Sequence, residues 1–265
     1  MKESETDERV EDGVRRTLKR GLLTLTLHRP DRLNAMSQAM MRSLQRHVES
    51  AAADDSVRCL LVTGGSKNFS AGRDLSESVA GEDAQAIMDQ QVSPLLRAIF
   101  HFPKPTLAAV AGVAMGGGLG VAMACDIVIA TPDARLSSPF AKLGIALDAG
   151  GHWWLPRRVG SGRALEMIYT SDIVSGRKAA EWGLVNRCVD AAELLEHCDE
   201  LGLRIARGPI AALRAEKQLL RRAEALSYDE VLNDEARLQS VLAASPEFTE
   251  GLAAFREKRN PVFGP

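Results

Sequence analysis

Leucine and threonine take turns through Leu22–Leu27 before His28-Arg29-Pro30, and this period of two predicts a strand stopped by proline. Ser37 is placed to cap a helix running to about residue 53. Residues 57–63 read as a second strand, followed over 64–75 by a glycine-containing loop with neither helical nor strand period. Helical spacing of Ile87, Val92, Leu95, Leu96 and Ile99 predicts a helix over 82–102, ended by Pro103 and Pro105. Next come a buried strand at 107–110, a helix at 116–124 opened by three glycines, and a strand at 126–130. Beyond Gly150 the pattern becomes helix after helix, at about 162–170, 175–183, 191–206, 208–224, 229–243 and 247–258, interrupted by an extended piece at 184–189.

An α/β front and a helical rear predict a sheet-based core over 14–199 and a helical region over 200–265 that serves assembly. The first 20 residues are acidic, then basic, with no apolar stretch of the kind a secretory signal needs. Residues 1–13 are expected to be a disordered lead.

Residues 105–125 carry no charge, long enough for a bilayer span on length alone. Five glycines inside it, Asp126 directly after it and the lack of basic or aromatic flanks favour another parse: strand, glycine turn, buried helix. No membrane association is expected. Consecutive glycines strip away the side chains that would block a ligand, so N–H groups at a helix start can face an oxygen bearing negative charge. Close helix–sheet packing explains the same glycines equally well. Gly116, Gly117, Gly118 and Gly120 do not form a dinucleotide or P-loop spacing.

The charge balance, 33 basic against 35 acidic residues, supplies no global field for nucleic acid or anionic membrane. Four scattered cysteines without a C-x-x-C pair suit buried thiols in a reducing cytoplasm, and the histidines show no metal-ligand spacing. No metal and no resident cofactor are expected.

Three segments, Phe69-Ser70-Ala71-Gly72-Arg73-Asp74-Leu75, Ala111 to Gly118 and His28-Arg29-Pro30-Asp31-Arg32-Leu33-Asn34-Ala35-Met36, together resemble the enoyl-CoA hydratase/isomerase (crotonase) family. So do Cys125 to Ala130, Glu181-Trp182-Gly183-Leu184-Val185 and the tail from Glu250 to Arg259, in the family's order. The resemblance implies a crotonase fold of repeated ββα units, an α/β class, with C-terminal helices building a homotrimer or a hexamer. It implies a coenzyme A thioester as substrate, with its carbonyl oxygen held by the N–H groups of Arg73 and Gly117. It places the CoA along Arg29, Asp31, Arg32, Leu33 and Ala71, with Phe255 and Lys258 reaching over from a neighbouring subunit.

The two glutamates with which hydratases of this family add water correspond here to Gly120 and Phe140, and neither side chain transfers protons. One acid remains, Asp148, between Leu147 and Ala149 in a glycine-rich loop. It matches a position where some family isomerases carry a proton-transferring aspartate; by spacing alone it serves equally as the cap of a helix beginning near Gly150. Residues 140–157 look most like the isomerases of phenylacetate degradation. The expected chemistry is isomerisation of a double bond or ring epoxide, with Asp148 as base and an enolate held by two backbone donors. Phe140, His152 and Trp153 are expected to line the acyl pocket. The alternatives are hydration of a 2-enoyl-CoA and, in another class, a non-catalytic acyl-CoA- or RNA-binding protein. Against RNA, the 37–53 helix offers only Arg42 and Arg46 as cations.

Overall fold

A computed structural model describes residues 9–263. The chain begins with β1 (Arg9–Glu11), β2 (Val14–Lys19) and β3 (Leu22–Leu27), then α1 (Gln38–Ala53) and β4 (Cys59–Thr63). A helical stretch follows, from α2 (Ala84–Ile87) through a π-helical turn (Met88–Val92) into α3 (Ser93–Phe100). Next are β5 (Thr106–Val110), β6 (Val113–Met115), α4 (Gly117–Ala124), β7 (Ile127–Ala130) and β8 (Arg135–Ser137). The rest is α5 (Gly151–Val159), α6 (Ser161–Thr170), β9 (Val174–Ser175), α7 (Gly176–Trp182), β10 (Arg187–Cys188) and α8 (Leu194–Ala206). Three helices close the chain: α9 (Ile210–Ala223), α10 (Tyr228–Ala243) and α11 (Pro246–Glu257).

The strands form a seven-stranded sheet in the order β1-β2-β3-β4-β5-β7-β10 and a three-stranded sheet in the order β6-β8-β9. From β3 to β10 the large sheet is parallel, and parallel strands are covered on both faces, so β4 and β5 are buried at every position. Strand alternation divides the cover. Leu60, Val62, Ala108 and Val110 join the main core with α1 and α3, whereas Cys59, Leu61, Leu107 and Ala109 face Leu194, Cys198 and Leu201 of α8. β5-β6-α4 is a ββα unit of the expected kind, and it absorbs the whole charge-free run. Among the described residues no helix is long and apolar enough to cross a membrane.

Three expectations change. Residues 9–13 are not a disordered lead: β1 and β2 form a hairpin, tied to α1 by the Ser43 hydroxyl donating to the Glu11 carbonyl (3.0 Å) and by Arg46 pairing with Glu11 and Asp12. The remainder of that predicted lead lies outside the described residues. The boundary near 199/200 falls inside α8, which belongs to the core because its apolar stripe covers one face of the sheet. The helices that stand apart are α9 to α11, and neither α9 nor α10 has a buried residue in the single chain. Finally, β6, β8 and β9 form a second sheet where the sequence predicts no strand, since pieces of two or three residues carry almost no periodic signal.

Candidate active site

The loop after β4 and the glycine turn after β6 are stitched side by side. Ser70 pairs with Ala114 in a parallel bridge, Met115 N–H donates to the Ser70 carbonyl at 3.0 Å, and Met36 N–H donates to the Gly72 carbonyl at 2.7 Å. The Ser70 hydroxyl gives its proton to the Asn34 carbonyl (2.8 Å) and accepts from Gly72 N–H (3.1 Å). Two glycines permit this approach. At Gly72 (φ +94°) a Cβ would lie 2.7 Å from the Met115 carbonyl oxygen and 3.3 Å from Gly117 N, while Gly116 turns the chain into α4 at φ +50°, ψ −122°, a conformation open only to glycine.

The result is a pair of unused donors. Gly117 is the first residue of α4, so its N–H has no intrahelical acceptor, and neither it nor the Arg73 N–H donates to any acceptor among the described residues. Both line a cavity of about 530 Å³. Its remaining wall is mostly aliphatic: Met36, Met41, Ile87, Met88, Leu95, Leu96, Val121 and Leu147, with Phe140 beside Gly116. The charged residues on that wall are Arg73, Glu82 and Asp148.

Asp148 is half-buried between the buried side chains of Leu147 and Ala149. Burial pushes its carboxyl up to about 6, against a smaller opposing pull from Arg73. Its side chain accepts no hydrogen bond and makes no ion pair among the described residues. It is not a helix cap: α5 begins at Gly151 with Gly150 as its N-cap and no side-chain cap, and Asp148 contributes only its backbone carbonyl, which accepts from Gly151 N–H at 2.9 Å. Ala149 holds a left-handed conformation (φ +53°), fixed by the Trp154 indole N–H donating to its carbonyl at 3.1 Å. Trp154 therefore holds the backbone next to Asp148, a role invisible in its sequence position.

The other side of Ala149 packs on Gly120. A Cβ at 120 would overlap Ala149 Cβ and lie 2.9 Å from its carbonyl oxygen, so backbone of the Asp148 loop fills the space next to α4. Gly120→Ala is expected to destabilise the fold by about 1–3 kcal/mol through overpacking, read as a lower urea midpoint at unchanged m-value.

The predicted CoA contacts divide. Asp31, Arg32 and Leu33 are exposed on a 3₁₀ turn drawn to the cavity edge by Ala71, whose N–H donates to the Leu33 carbonyl at 3.0 Å. Arg29 is committed elsewhere. Its guanidinium pairs with Asp74 (2.9 Å) and donates to the Ala35 carbonyl (2.7 Å), bracing the loop while staying partly exposed. Phe255 is 81% exposed and, with Lys258, lies away from this cavity. Of the expected acyl-pocket residues only Phe140 lines it. His152 is exposed, and Trp153 packs edge-on against Phe100 and under Arg157, facing a separate cavity behind Gly120 and Ala149. The first turn of α5 carries both away from Asp148.

Comparison with known proteins gives a consistent result. The enoyl-CoA hydratase/isomerase family profile matches residues 17–265. The 1,2-epoxyphenylacetyl-CoA isomerase of Escherichia coli is 36% identical over 93% of this chain and 96% of its own. The 2,3-dehydroadipyl-CoA hydratase of the same organism is 36% identical over 91% and 94%. The crystal structure of an enoyl-CoA hydratase from Mycobacterium smegmatis superposes with a TM-score of 0.89 at 32% identity, over 96% of this chain and 99% of that one.

Proposed function

Because the chain belongs to the enoyl-CoA hydratase/isomerase family, we propose that it isomerises an acyl-CoA thioester, moving a double bond or opening a ring epoxide, with Asp148 as the proton-transfer base. The observation that carries this reading is the unpaired, half-buried Asp148 carboxylate on the same cavity wall as two unused backbone donors. The thioester oxygen sits between the N–H groups of Arg73 and Gly117. Asp148 takes a proton from one carbon of the acyl group, the negative charge moves onto that oxygen, and the donors stabilise it. For a double bond the proton then returns to another carbon; for a ring epoxide the electron pair instead breaks a C–O bond and the released oxygen takes up the proton, and in both cases the carboxylate is left ready for the next turnover. One carboxylate completes this cycle.

Hydration needs a second proton-handling group to activate water. Glu82, the other acid on the wall, is held by both terminal nitrogens of Arg73, and positions 120 and 140 are glycine and phenylalanine. The relatives' names cover both reactions, so the deciding experiment is a panel of 2-enoyl-, 3-enoyl- and epoxyacyl-CoA thioesters followed by absorbance and product analysis. Bond migration or epoxide opening is the expected outcome; a 3-hydroxyacyl-CoA as the main product overturns the reading in favour of hydration. Binding without turnover favours the non-catalytic alternative. The rate is expected to rise with pH through about 6 as Asp148 ionises.

In this reading Arg32, Leu33 and Ala71 receive the CoA at the cavity edge. Phe255 and Lys258 act on a neighbouring subunit's CoA, and the uncovered faces of α9 and α10 join subunits into a trimer or hexamer. The reaction is placed in the cytoplasm.

A further inference from the structure

Three charged side chains share an otherwise apolar cavity, and two of them are paired with each other. Glu82 accepts from Arg73 Nη1 at 2.6 Å and from Nη2 at 2.9 Å, in the two-pronged geometry that suits a guanidinium and a carboxylate. Both side chains are about one-fifth exposed, which strengthens the pair relative to a surface bridge. Asp148, on the same wall, has no partner, although Arg73 is the cation whose field reaches it. Glu77 also acts on Arg73, at longer range and more weakly than Glu82. The arrangement resolves a conflict. The backbone of Arg73 lines the cavity as a donor, so its guanidinium is carried on the same wall as the base, and its field already acts on that base.

We propose that Glu82 is a positioning residue for the reaction: by occupying both terminal nitrogens of Arg73 it withholds the guanidinium from Asp148 and leaves that carboxylate free to accept the substrate's proton. This rests on the reading of Asp148 as the base. Glu82 lies just before α2, so the same ion pair straps the segment between Leu75 and α2 across the cavity. A purely structural strap and an electrostatic guard predict different results.

The test is a ¹³C-carboxyl NMR titration of Asp148, its signal assigned by its loss in Asp148→Asn, in the full-length protein. In Glu82→Gln the released guanidinium is expected to move the Asp148 midpoint toward acid by about 1–3 pH units. The acid limb of the isomerisation rate should shift with it, and kcat should fall more than KM changes. In Arg73→Met/Glu82→Gln, which keeps the backbone N–H at 73, the midpoint is expected to return to near its wild-type position. Glu82→Ala, which leaves no acceptor for Arg73, is expected to shift the midpoint toward acid in the same way and carries the test if Glu82→Gln fails to fold. An Asp148 midpoint unmoved in Glu82→Gln, or unrestored in the double variant, overturns the proposal. The titration requires no turnover, so it fails or succeeds separately from the activity loss in Asp148→Asn that tests the base.

Discussion

Asp148→Asn is expected to lower kcat for isomerisation by about 10²–10⁴-fold while leaving CoA-thioester binding within a few-fold, because it removes a positioned base and keeps its shape. The same change should make the protein more stable at neutral and alkaline pH. The sign follows from linkage: the carboxyl titrates near 6 in the fold, above its ordinary value, so the folded state favours the protonated form. Its stabilising contribution is complete at low pH and is lost as pH rises through about 6. Asparagine carries no charge to desolvate. Discounted for partial solvent exposure, the expected gain is about 1–2 kcal/mol at pH 8, shrinking to nothing below about pH 4. Urea denaturation of both proteins at the two pH values, alongside the kinetics, checks this. A variant equally active, or one whose stability gain over wild type is no larger at pH 8 than at pH 4, contradicts a desolvated base.

The second large effect lies in the backbone. Gly117→Pro removes one donor at the first position of α4, where proline is compatible with a helix and where no protein acceptor is lost. The achiral Gly116 before it tolerates the φ +50°, ψ −122° conformation that this turn requires. Loss of one such donor costs about 2.7–4 kcal/mol in the transition state, or about 10²–10³ in kcat. The folded state should keep most of its stability, since a Cβ at 117 meets Met36 Cε only at an ordinary 3.7 Å. Comparing kcat/KM with thermal unfolding for wild type and variant separates the two effects. An active Gly117→Pro would remove this N–H from the mechanism.

Much of this site is legible in the sequence. The run from Gly116 to Gly118 signals a bare helix start, and Asp148 between apolar neighbours signals a desolvated acid; the fold places both on one cavity wall. His152 and Trp153 mislead because nearness in sequence to Asp148 says nothing about which way a helix turn points. Glu82 and Trp154 are silent in the sequence for a related reason. Their partners, Arg73 and the Ala149 carbonyl, are defined by loop geometry rather than by a local motif. Arg29 shows a further limit: a cation in the motif whose guanidinium pairs with Asp74, a partner that the motif does not reveal. The β1-β2 hairpin escapes because its strands are polar and partly exposed, so their pairing with β3 and α1 carries the fold there and leaves no alternating pattern to read.

The contact between Gly120 and Ala149 bears on how this chain can change over evolutionary time. A glutamate at 120 is opposed by the loop that carries Asp148, because Ala149 occupies the volume its first carbon needs. Making room at 120 would move Ala149 and, with it, the neighbouring Asp148. Substitutions at 120 and 149 are therefore expected to be coupled through shared space rather than additive.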